Sequence, residues 1–342
     1  MGISRRTLAL SLLLVPLARA APFKSSPPPE ASELLRSALE DVKPAYQGKI
    51  MITRWFGKQT RAEEVAVYHS APQRFRWEFL IPSGSIGRVV VSDGSREQLR
   101  LASKNKTLQG SAPKIYPKVM SIESERELLL KNYRIHYLGA DEVAGRAVWV
   151  LELEPARSGK PHQRLWIDQE TRVILENKRF RSGAHSATLS RFTRFEPKKD
   201  IPDDLFNCAA SSGTIDAHGL DPDFFSLEEM EQSTGKASKY PRELPGDFTF
   251  ESADFFEVKN QTVWHIRYTD GLTTVSLFDT PRPVRLSGTA NDSSASLSLP
   301  GSLHLSSSGR ILHWKQKKTY YTLVADLPRE LLEPIAARLK RF

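Results

Sequence analysis

The chain has 342 residues, with 49 lysines and arginines against 40 aspartates and glutamates, one cysteine and a formal net charge of +9. That length suits about two domains of ~100–200 residues, each able to bury its own core. The lone Cys208 excludes an intramolecular disulfide and a cysteine-rich metal centre.

The first 20 residues read as an export signal. Arg5 and Arg6 form the basic start, Leu8 to Leu17 the apolar run, and Ala18-Arg19-Ala20 the cleavage site. The apolar run is shorter than the ~20 residues a membrane span needs. Ser4-Arg5-Arg6-Thr7-Leu8 is close to a twin-arginine signal, so both export routes stay open. No cysteine follows the cleavage site to take a lipid anchor. Cleavage removes three arginines and no acids, leaving 322 residues with net charge +6. The expected product is a soluble periplasmic protein. For such a basic surface, nucleic acid is not the expected partner. Lipid phosphates, an acidic protein segment or plain solvent are.

Residues 21–29 contain the run KSSPPP and read as a disordered lead-in. A helix is expected over Glu30 to Val42, with Ala31, Leu34, Leu35, Ala38 and Leu39 in one apolar stripe ended by Pro44. Short strands rich in β-branched and aromatic residues follow: GKIMITRW, EEVAVYH, FRWEFLI, GRVVVSDG and REQLRLA. Ser121 to Lys131 reads as a helix. Strand patterns then return in YRIHYLG, GRAVWVLELEP, HQRLWID, RVILENKRF and ATLSRFTRF. Few helices and many strands give an α+β domain over 30–206, an antiparallel sheet with helices on one face. Residues 207–240 are small and polar and read as a linker, with Phe225 to Glu231 as its ordered piece. A second, smaller α+β domain is expected over 241–342. It contains a Ser-rich connection and closes with a helix from Arg329 to Arg341, whose Leu331, Leu332, Ile335, Ala336 and Leu339 form one stripe.

Within that domain, TVWHIRYTDGLTTVSLF reads as a hairpin around a two-residue Asp270-Gly271 turn. The implied pairs are Tyr268 with Thr273, Ile266 with Val275 and Trp264 with Leu277 on an apolar face. Arg267 with Thr274 and His265 with Ser276 lie on a polar one. A one-residue slip would exchange the faces.

The usual catalytic signatures are missing. There is no G-x-S-x-G, H-E-x-x-H, Walker loop, C-x-x-C or G-x-G-x-x-G. Ser111 and Lys114 satisfy a bare S-x-x-K spacing, but Pro113 intervenes and no helix is predicted there. The eight histidines are scattered, with His69, His265 and His313 on strand faces. Asp221 and Asp223 flank a proline and suggest a turn. No enzyme, metal or cofactor is therefore expected. What stands out is an apolar strand face: Phe75, Trp77 and Phe79, then Trp149, Leu151 and Leu153, to which Ile50, Ile52, Val65 and Val67 can be added. Such a face is either ordinary core or the lining of a cavity for an acyl chain.

The hairpin ending Tyr268-Thr269-Asp270-Gly271-Leu272 resembles the C-terminal domain of the RseB/MucB family. So do the entry Leu244-Pro245-Gly246-Asp247-Phe248 and the ending YTLVADLPRELLEPIAARL. Asp247 and Ala325 depart from that family's pattern at positions where it more often has glycine. Tyr133 to Pro197 is similar to the second half of the family's N-terminal domain, with a looser likeness over Ile50 to Leu108. The resemblance implies a curved, unclosed barrel like that of the carriers LolA and LolB, with helices over an apolar cavity. It also implies a periplasmic negative regulator of an extracytoplasmic-stress sigma factor. Such a regulator binds and shields the periplasmic segment of a membrane-spanning anti-sigma factor and senses lipid or lipopolysaccharide. The expected partner-binding residues are Arg267, Asp270, Gly271 and Leu272. A lipoprotein or lipid carrier is the alternative, and a hydrolase the third.

Overall fold

A computed structural model describes residues 30–40, 43–56, 59–71, 73–81, 87–101, 106–111, 122–181, 186–207, 214–216, 222–257, 260–282, 295–298, 304–307 and 310–341. The export segment, Lys114, Cys208, Asp221 and most of the Ser-rich connection lie outside these residues.

The chain starts with helix α1 (Ala31–Leu39), shorter than expected at both ends. Strands β1 (Tyr46–Phe56), β2 (Gln59–Ser70), β3 (Arg74–Ile81), β4 (Arg88–Ser92), β5 (Arg96–Leu101) and β6 (Lys106–Ser111) follow as an antiparallel meander. After α2 (Ile122–Asn132) come β7 (Tyr133–Val143), β8 (Arg146–Pro155), β9 (His162–Asp168), β10 (Ile174–Phe180) and β11 (Ser186–Pro197). Pairing of β11 with β1 joins the two meanders into one sheet. Its order is β12-β6-β5-β4-β3-β2-β1-β11-β10-β9-β8-β7, so the terminal strands do not meet and the barrel is unclosed. The strand β12 (Thr214–Asp216) adds parallel to β6, a departure from the all-antiparallel expectation.

Two apolar clusters hold this domain. Both helices sit on the first, where Leu34, Leu35 and Leu129 pack against Trp149, Leu151, Leu153, Leu165 and Ile167. Each fully buried leucine contributes about 1.5–3 kcal/mol. The second contains Ile50, Ile52, Val65, Val67, Phe79, Val90, Phe192 and Phe195. At its margin His69 is half-buried and stacks on Tyr46 with ring centroids 4.9 Å apart. Burial pushes the His69 imidazole down to about 4. The folded state therefore keeps it neutral while the unfolded chain takes up a proton below about pH 6.5. Stability should be full above that pH and fall as the pH drops from 6.5 toward 4, by about 1–2 kcal/mol at pH 5. Urea titrations of the protein and of His69→Phe at pH 7.5 and 5.0 measure this; equal pH dependence in both would refute it.

The second domain is built on α3 (Leu227–Thr234), β13 (Glu243–Leu244), β14 (Phe248–Glu257), β15 (Thr262–Thr269) and β16 (Thr274–Thr280). A separate two-stranded piece, β17 (Ala295–Ser298) with β18 (His304–Ser307), precedes β19 (Arg310–Gln316), β20 (Thr319–Ala325) and α4 (Arg329–Leu339). The sheet order is β13-β14-β15-β16-β20-β19, and α4 seals one face through Leu332, Ile335, Ala336 and Leu339. Residues 222–240, expected as linker, belong to this core: Phe224, Met230, Ala237 and Tyr240 are all buried in it. Ser226 caps α3 by accepting from the Glu229 amide, and Gly235 ends it in the left-handed conformation.

The hairpin differs in register from the two-residue reading. Thr269 pairs with Thr274, which leaves a four-residue turn, 270–273. Tyr268 therefore faces Val275 and Ile266 faces Leu277, each moved by two positions. An even shift keeps every side chain on its face, so the apolar assignment survives. The cause is the Asp270 carboxylate, whose Oδ1 accepts from the amides of Leu272 (3.0 Å) and Thr273 (2.7 Å) and builds a wider turn. The opposite face is not simply polar. His265 lies opposite Phe278 with the rings stacked at 4.4 Å, beside buried Val263 and Val324.

Candidate functional site at the domain junction

Asp270 does not face solvent. It is completely buried, and its Oδ2 pairs with Lys160 Nζ from the β8–β9 loop at 2.8 Å, the two side chains being 0% and 1% exposed. Tyr133 donates its hydroxyl to the same oxygen at 3.0 Å, and Asn132 donates its amide to the Asp270 carbonyl at 2.9 Å. With two turn amides on Oδ1, the carboxylate has four donors. Burial, reinforced by the Asp270 charge, drives the Tyr133 phenol up, so it stays a neutral donor. Lys160 also lies 4.8 Å from the centre of the Phe248 ring. A buried ion pair repays its desolvation only when its remaining hydrogen-bonding sites are filled, as those of Asp270 are.

The next two residues complete the plug. Gly271 has φ +96°, and a Cβ there would sit 3.0 Å from the Leu129 amide nitrogen and 3.2 Å from Leu128 Cβ. Only glycine tolerates both the backbone conformation and the approach. Leu272 packs against the first-domain cluster under α1 and α2. Around the rim, Arg157 pairs with Asp247 at 2.7 Å and Arg181 with Asp326 at 3.2 Å, and Arg179 donates to Thr273 at 3.3 Å. Asp247 and Gly246 both have positive φ (63° and 89°), so the departure at Asp247 keeps a left-handed turn while adding a cross-domain ion pair.

Asp270, Gly271 and Leu272 thus come together, but they are engaged by the first domain. Arg267 stands apart on β15, its Nε 3.0 Å from Ser252 Oγ. Lys160, Asn132 and Tyr133 were missed by sequence reasoning; a lysine in a Gly-Lys-Pro loop carries no pattern that predicts a buried partner 110 residues away.

The apolar face is also divided. Trp149, Leu151 and Leu153 lie under the helices, whereas Ile50, Ile52, Val65, Val67 and Phe79 form the other cluster, with Phe75 and Trp77 half-buried at its margin. Among the described residues no helix packs on that second cluster. No group of three His, Cys, Asp or Glu side chains among them is placed to hold a metal ion. No described helix is long and apolar enough to cross a membrane.

Residues 57–207 match the family model described as the MucB/RseB N-terminal domain. The fold is similar to that in the complex structure of Pseudomonas aeruginosa MucA/MucB, with TM-score 0.58 and 19% identity over 90% of this chain and 97% of that one. A crystal structure of MucB in complex with MucA(peri) matches with TM-score 0.57 and 16% identity, over 90% and 97% of the two chains. MucB alone gives 0.52 and 16%, over 90% and 96%. No curated protein matches the sequence.

Proposed function

We propose that the chain belongs to the MucB/RseB family, whose N-terminal domain model matches residues 57–207, and that it is a periplasmic regulator of an envelope-stress sigma factor. It binds the periplasmic segment of a single-pass anti-sigma factor and shields that segment from proteolysis. The observation that supports this most is that the MucB fold extends through both domains, over 90% of the chain, rather than through the first domain alone.

The junction bears on how the regulator would work. A partner that contacts both domains meets them already fixed by the Asp270 plug, so it does not have to order them on binding. A lipid or lipopolysaccharide that prefers a separated arrangement would lower partner affinity by linkage, and ~1–3 kcal/mol of differential affinity changes it about five- to 150-fold. The second apolar cluster, with Phe75 and Trp77 at its margin, is the region we assign to an acyl chain.

A pull-down with tagged mature protein from detergent-solubilised envelopes tests the reading. We expect a single-pass membrane protein retained through its periplasmic segment. Recovery of lipoproteins or lipids in its place would move the protein to the carrier class.

A further inference from the structure

One row of side chains has no part in the junction. Asp254 on β14 lies directly opposite His265 on β15, and Ser276 on β16 stands on the diagonal from His265, on the same face of three adjacent strands. Asp254 Oδ1 is 3.1 Å from His265 Nδ1, and His265 Nε2 is 3.1 Å from Ser276 Oγ. The acceptor-only carboxylate places the imidazole proton on Nδ1, which leaves Nε2 as the acceptor of the serine hydroxyl. The ring cannot easily turn away, because it stacks on Phe278 at 4.4 Å with an interplanar angle of 6°. Asp254 and His265 are nine-tenths buried, while Ser276 is only half-buried. Nucleophile, base and orienting acid are therefore in mutual hydrogen-bond reach with the outermost member accessible.

We propose that Ser276 is an activated nucleophile, an acyl-acceptor site for activated carboxylic esters. Ser276 Oγ attacks the ester carbonyl carbon as its proton passes to His265 Nε2. The Oγ–acyl bond forms, the bond to the leaving oxygen breaks, and the imidazolium returns the proton to the departing alcohol. Asp254 holds the imidazole in register and stabilises its charged form. The same geometry limits the reaction. β16 is paired on both sides, with β15 and β20, so its backbone amides are committed to the ladders. Arg267, directly opposite Ser276, is drawn toward Ser252 by its Nε. β16 itself therefore supplies no preorganised pair of backbone donors to the tetrahedral intermediate, a loss worth about 10²–10³ in rate for each missing donor. Acylation is thus slow and the acyl-serine persists. The site takes up one acyl group per chain and does not turn over as a hydrolase.

The test treats the intact mature protein with p-nitrophenyl acetate and, separately, with a fluorophosphonate probe. The expected result is release of about one equivalent of p-nitrophenolate, with the acetyl or phosphonyl group mapped by mass spectrometry to Ser276. Ser276→Ala should remove that adduct, and His265→Gln or Asp254→Asn should slow its formation by about 10²–10⁴-fold. A thermal melt of each variant reports folding, and Ser276→Ala, a small change at a half-buried site, remains decisive if a histidine variant unfolds. No adduct at Ser276 in a protein that melts cooperatively, or one formed equally fast in Asp254→Asn, would overturn the proposal and leave the row a structural ladder. Neither outcome depends on the regulator reading.

Discussion

Replacing Asp270 by asparagine should cost about 3–5 kcal/mol of stability. The change keeps the side-chain oxygen that accepts from the Leu272 and Thr273 amides, so the turn itself is not lost. What it removes is the charge facing Lys160, whose side chain is 1% exposed and is left as an uncompensated buried cation. Removing both charges should be milder. In Lys160→Met with Asp270→Asn, no ion is stranded, and the double variant should be more stable than Asp270→Asn alone. Chemical denaturation of the four members of this cycle measures the coupling directly. A double variant less stable than either single would show that the pair is not coupled across the junction. If fixed domain orientation matters for the partner, Asp270→Asn should also weaken partner binding, while a small-angle scattering profile shows a wider particle.

The second large effect is expected at Trp149. Its indole is 2% exposed, packs among Leu34, Leu35, Leu151 and Ile167, and carries the Arg172 guanidinium 4.4 Å from its ring. Truncation to alanine removes those contacts and leaves a cavity, for a loss of about 3–5 kcal/mol. Trp77→Ala, at the half-buried margin of the other cluster, should cost only about 1–2 kcal/mol. The comparison separates packing from binding. If the second cluster receives acyl chains, Trp77→Ala should lose most of the uptake of a fluorescent fatty-acid analogue while its melting temperature stays close to that of the parent. Equal uptake by the two proteins would assign Trp77 to ordinary packing.

Much of this molecule was legible in the chain itself. Period-two patterning located the strands from Ile50 to Phe195, because each buries alternate residues against a neighbour. The apolar stripe of the last helix correctly named Leu332, Ile335, Ala336 and Leu339 as core. The turn at Asp270 was recognised but its width was not: propensity rules weigh the backbone preference of Asp-Gly, and the carboxylate instead recruited two amides and lengthened the loop. The linker expectation over 207–240 rests on polar composition, although Ser226 and Glu229 have the S-x-x-E spacing of a helix start, Ser226 accepting from the Glu229 amide and Glu229 from the Phe225 amide. The junction was illegible for a different reason. Lys160 and Asp270 meet only through tertiary contact, and nothing in either local segment marks its charge as buried. His265 and Ser276 are expected directly opposite each other, whereas the observed register sets His265 opposite Phe278 and Ser276 on the diagonal, and the third member, Asp254, requires the register of β14.

The terminal strand β7 has one further consequence, for self-association. It ends the twelve-strand sheet and offers an 11-residue edge, the kind of surface on which chains pair into ribbons. A bulge between Tyr137 and Gly139 breaks that edge near its middle, Gly139 taking φ +124°, and the exposed charges of Arg134, Asp141 and Glu142 stand on either side. No straight run long enough to template a second copy remains. Deleting Leu138 would restore the regular pleat and make concentrated solutions of the protein prone to edge-to-edge polymerisation.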